Sequence, residues 1–76
     1  MDKYWYIEKV STNEVVYLPF KRDFEKQTFI LYRKSELTID SSSYWVEGVA
    51  NKLRRKLLKD NPELLAEDYI VVEYGE

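Results

Sequence analysis

A small antiparallel sheet carrying one main helix on one face, an α+β fold, is predicted by three features of the chain. The first third alternates large apolar and polar side chains with the period of two that a pleated strand imposes. A later stretch repeats apolar residues at helical spacing, as Val46, Val49, Ala50, Leu53 and Leu57. The closing run Tyr69 to Tyr74 is rich in the β-branched and aromatic residues that fit a pleated surface. In 76 residues there is room for one core and so for a single domain over 1–76. An SH3-like barrel with an inserted helix is the alternative architecture.

Strands are expected at Lys3 to Val10, Glu14 to Phe20 and Thr28 to Arg33. Ser11-Thr12-Asn13 supplies turn formers for a hairpin between the first two. Pro19 cannot donate a ladder hydrogen bond and marks the end of strand two or a sheet edge. The charged stretch Lys21 to Gln27 reads as a loop, and Leu37 to Ile39 allows a short further strand. The helix that follows has Ser43 as its expected N-cap and Glu47 favourably placed at the positive end of its dipole. Asp60-Asn61-Pro62-Glu63 ends it and starts a shorter helix, docked by Leu64, Leu65 and Ala66, because proline suits a first helical position. The predicted order is β-β-β-(β)-α-α-β.

Parity decides which sheet face the helix covers. One set is Trp5, Ile7, Val16, Leu18, Phe20, Phe29, Leu31, Ile70 and Val72; it is nearly without polar atoms and is the expected core. The other contains Tyr4, Tyr6, Val15, Tyr17, Ile30, Tyr32, Tyr69 and Val71. Tyrosine has an apolar body and a hydroxyl that seeks water or a partner, so Tyr4, Tyr6, Tyr17, Tyr32 and Tyr69 are the candidate partner-binding residues. Ordinary cross-strand packing on a solvent face, closure into a barrel and a homodimer interface are the competing readings of the same residues.

Charge is distributed unevenly. Residues 1–59 hold 12 basic and 8 acidic side chains, whereas 60–76 hold 6 acids and no base, giving −2 overall. Lys52, Arg55 and Lys59, with Lys56 beside them, form a basic helix stripe able to meet phosphates or an acidic partner. A solvated helix face is the plainer reading, and an acidic total with pI near 5.2 counts against a dedicated nucleic-acid binder. The acids after residue 59 either neutralise that stripe or present a negative surface to a basic groove.

The chain contains no histidine and no cysteine, which removes the commonest general base, the best nucleophile and the usual transition-metal ligands. Gly48 and Gly75 are the only glycines, so no phosphate-cradling loop exists. Ser41 to Ser43 have no activating partner, and Glu63 with Glu67 is a pair that the dipole of a helix start explains. No catalytic residue, metal or cofactor is expected. There is no disulfide framework, secretion signal or apolar run of membrane-spanning length, so a soluble cytoplasmic protein is expected. Composition thus points to a non-enzymatic module that binds another protein, with nucleic acid as the rival partner. Small acidic proteins without cofactors, including those of phages, often act as regulators or inhibitors by occupying a surface of a larger machine.

Overall fold

The computed structural model describes residues 3–36 and 44–74. It contains a four-stranded antiparallel sheet with β1 at Trp5–Lys9, β2 at Glu14–Tyr17, β3 at Ile30–Arg33 and β4 at Tyr69–Glu73, in the spatial order β3-β2-β1-β4. One helix, α1, runs from Glu47 to Asp60. Among the described residues the sheet is open, with β3 and β4 as its edges, so the barrel alternative is set aside. Leu37 to Ile39 and the expected N-cap Ser43 lie outside the described residues.

Residues 10–13 join β1 to β2. Asn13 takes a left-handed conformation with φ 57°, which asparagine tolerates better than most side chains. The amide of Asn13 donates to the Val10 carbonyl at 3.2 Å. Ser11 fastens this turn to the residue just before the neighbouring strand β4, its amide and hydroxyl donating to the Asp68 carboxylate at 2.8 and 2.7 Å.

The register Ile7↔Val16, Val16↔Leu31 and Ile7↔Val71 aligns one row of side chains beneath α1. Ile7, Val16, Leu18, Leu57 and Tyr69 form the buried core, with Phe29, Leu31, Leu53, Leu58, Leu64 and Val71 packed around it. Tyr69 is only 2% exposed and meets the Phe29 ring edge-on at 6.2 Å.

Three expectations are corrected here. In β4 the inward residues are Tyr69 and Val71, while Ile70, opposite Glu8, faces the other side together with Val72. Both parities of Tyr-Ile-Val-Val are apolar, so no polar residue identifies the outward face, and a shift of one residue exchanges them. Tertiary contacts make the choice: Arg54 donates to the backbone carbonyls of Tyr69 and Ala66, tying the start of β4 to α1.

The helical stripe is also narrower than predicted. Ala50 and Leu57 are fully buried, but Val49 is 43% exposed and Val46 more so. The helix starts at Glu47, with Val46 as a cap that makes no side-chain hydrogen bond. The third correction concerns the short helix after Pro62, which is a turn followed by a 3-10 helix at Ala66–Asp68. Too few residues separate α1 from β4 to offset the cost of nucleating an α-helix. Leu64 packs on the core, whereas Leu65 is 63% exposed.

Three substitutions test this packing through stability. Leu57→Ala is expected to cost about 2–5 kcal/mol in urea unfolding, as a fully enclosed leucine does. Val49→Asp is expected to retain a cooperative melt because its side chain already meets water. Gly48 is exposed in the first turn of α1, with nothing within 4 Å of an added Cβ. Gly48→Ala is therefore expected to raise stability by about 0.5–1 kcal/mol in the same assay.

Candidate functional site

The sheet face away from α1 carries Tyr4, Tyr6, Tyr17 and Tyr32 by strand alternation, but its own chain fills much of that face. Tyr6 is 6% exposed and Val15 is fully buried. The Tyr44 ring lies against Tyr4, Tyr6 and Tyr74 with centroids 6.3, 6.5 and 4.8 Å away. Burial, and next the neighbouring Tyr74, push the Tyr44 phenol pKa well above its ordinary value. Lys34 donates to Glu8 at 2.8 Å and to Asn13 at 3.1 Å. That hydrogen bond to Glu8 leads the causes raising its pKa. Tyr69 belongs to the core on the opposite face. The structure therefore does not gather the five tyrosines into one open surface.

An apolar cleft opens instead where β2 leaves β1. Continuing the β1–β2 register would pair Trp5 with Leu18. Trp45 takes that place, with backbone hydrogen bonds of 2.7 and 2.9 Å exchanged between Trp5 and Trp45. The chain beyond Tyr17 turns outward as a loop over 18–29, and Pro19 could not have donated to the ladder in any case. Between this loop and the first half of α1 lies a cleft of about 480 Å³, walled by Leu18, Pro19, Phe20, Trp45, Val49 and Leu53. Phe20 is 89% exposed and Phe24, four residues along the same loop, 81%. Phe20 had been expected in the core; departure of β2 from the sheet carries it out.

The loop is held in place by polar contacts at the C-terminal end of α1. Buried Gln27 donates its side-chain amide to the carbonyls of Pro19 and Thr28 at 2.9 and 3.0 Å. Its backbone amide donates to the Asp60 carboxylate at 2.8 Å, and its carbonyl accepts from Asn61 Nδ2 at 2.8 Å. Lys56 Nζ donates to Glu25 O and to Asp60, each at 2.7 Å. The cleft is consequently built on a fastened loop, which lowers the entropy cost of binding there.

Lys21, Lys52 and Lys56 stand at the cleft margin beside Asp23. A shallow depression continues from it past Arg55 and Lys59, with Asp23 and Asp60 among its lining groups. The predicted stripe Lys52, Arg55, Lys56 and Lys59 is thus brought together, although Lys56 is engaged by Asp60. Among the described residues no carboxylate forms an ion pair with Lys21, Lys52 or Arg55. Nor does any group of three or more His, Cys, Asp or Glu among them suit a metal ion. No helix among them is long and apolar enough to cross a membrane.

Hydrogen bonds from Lys56 and from the Gln27 amide hold Asp60 below the usual carboxylate pKa, and those from Ser11 do the same for Asp68. A depressed folded-state pKa contributes stability above the unfolded value of about 4 and loses it as pH falls through the lower folded value. Melting temperature is expected to drop as pH is lowered from about 5 toward 2. Asp60→Asn and Asp68→Asn should each lower it at pH 7 and flatten that dependence, which circular dichroism melts across the range would check.

In the sequence only the charged stretch Lys21 to Gln27 was legible as a loop, and Phe20 reads there as the end of strand two. No family model matches the chain, and neither does any curated protein or solved structure.

Proposed function

We propose that this protein is a non-enzymatic binding module that docks onto another protein through the cleft between the 18–29 loop and α1. The observation that carries this reading is Phe20, almost wholly exposed at the margin of an apolar cleft and held by a fastened loop. Exposed aromatics grouped with aliphatic residues favour an interface that is wet when unoccupied and dry when bound. The cleft walls are aliphatic and aromatic, and its buried amide, Gln27, already spends both N–H donors on backbone carbonyls. Few polar groups converge to orient a small metabolite, whereas a large anchor side chain of a protein partner fits well. Steric occupation of a partner surface is the mechanism, suited to a small regulator or inhibitor acting in the cytoplasm.

The tyrosine face is the lesser candidate because Tyr44 and Lys34 already pack over it. Nucleic-acid binding through the helix stripe is disfavoured by Asp23 and Asp60, which put carboxylates among the cations.

Affinity capture from a cell lysate with tagged protein, under nuclease and at raised salt, tests the proposal. A partner protein retained through both treatments, lost with Phe20→Asp or Val49→Asp and kept with Tyr4→Asp, is the expected outcome. Loss with Tyr4→Asp alone would move the site to the tyrosine face. Recovery dominated by nucleic acid and abolished by nuclease would move it to the basic stripe.

A further inference from the structure

The cleft's apolar walls and its charged margin are ordered along the helix in a way that selects among protein partners. On α1, Val49 and Leu53 are four residues apart and form one row that lines the cleft. Lys52 and Lys56, also four apart, form a parallel row beside it. Lys21 adds a further cation from the loop side of the same opening. The basic residues between Lys52 and Lys59 are interrupted by no acid in sequence. The chain's net charge is −2, yet the cleft is lined by three cations, Lys21, Lys52 and Lys56, against one carboxylate, Asp23. An excess of one sign of charge around an apolar depression favours the opposite sign on the incoming surface.

We infer that the cleft receives an acidic segment of a partner protein, one that inserts a large apolar side chain between Phe20 and Val49 while its carboxylates meet Lys21 and Lys52. This inference rests on the docking reading above and adds to it the chemical class of the partner. An amphipathic acidic helix satisfies both rows at once, since apolar anchors and carboxylates can follow parallel lines one turn apart. A nucleic acid satisfies only the basic row. It would leave Leu18, Val49 and Leu53 without an apolar partner.

Three probes test this by nuclear magnetic resonance on the intact chain, following the Trp45 indole and the Val49 and Leu53 methyl groups. The first is a synthetic amphipathic peptide with leucine and phenylalanine on one face and glutamate flanking it. The second is the same peptide with every glutamate replaced by lysine, and the third is a single-stranded oligothymidine. The acidic peptide is expected to shift the cleft signals saturably and to bind at least about tenfold more tightly than the lysine peptide. Lys21→Glu combined with Lys52→Glu should reverse that preference, and circular dichroism should show the double variant folded.

Equal or tighter binding of the lysine peptide at the cleft would overturn the acidic partner while leaving the docking reading intact. Oligothymidine displacing the acidic peptide at comparable concentration would overturn it in favour of phosphate recognition. No shift with either peptide would overturn it as well. Only if Phe20→Asp also left lysate capture unchanged would the docking reading fail with it.

Discussion

Two backbone hydrogen bonds between Trp5 and Trp45 govern the layout of this molecule. A strand residue has one N–H and one C=O to pair on a given side, and a buried pair left unmet is costly. By engaging both groups of Trp5, Trp45 ends the claim of β2 on β1, whose last pair is Ile7↔Val16. It also delivers the chain to the start of α1, with Val46 as cap. The position of the helix, the outward path of the 18–29 loop and the cleft between them all follow from that replacement.

The helix then meets a sheet that is complete beneath its C-terminal half and interrupted beneath its N-terminal half. Leu57 finds Ile7, Val16 and Tyr69 and is fully enclosed. Val49, two turns earlier, overhangs the place where β2 has departed and remains partly exposed. A single amphipathic stripe therefore does two jobs: Ala50 and Leu57 are enclosed, Val49 lines the cleft, and Leu53 both packs on the core and lines the cleft. The polar fastening of Gln27 to Asp60 and Asn61 keeps the opposing wall from collapsing onto the helix. Without such anchorage, Phe20 and Phe24 would be expected to fold back onto nearby apolar surface, since water contact is unfavourable for both.

The second sheet face shows why tyrosine composition is an ambiguous signal. A phenol ring is as able to cover its neighbour as to await a partner, and Tyr44 does the former over Tyr4 and Tyr6. Nothing in the spacing of Tyr4, Tyr6, Tyr17 and Tyr32 foretells an additional ring arriving from Tyr44, which precedes the helix. Tyr69 was assigned to this face by parity alone, and parity fails where both alternating sets in a strand are apolar.

Local chemistry determined much of this protein directly from its sequence. Alternation marked the strands, Asn13 and its neighbours the hairpin, the aliphatic repeat the helix, and Asn61-Pro62 the helix end. The absence of histidine and cysteine narrowed the accessible chemistry, and the grouping of cations between Lys52 and Lys59 was plain. These features depend on residues adjacent in the chain or one helical turn apart. Tertiary structure alone decided the register of β4, the exposure of Val49 and Phe20, and the packing of Tyr44 against Tyr4 and Tyr6. Each depends on which distant segment occupies a hydrogen-bonding row or covers an apolar face, a competition between Leu18 and Trp45, or between water and Tyr44, that no local pattern records.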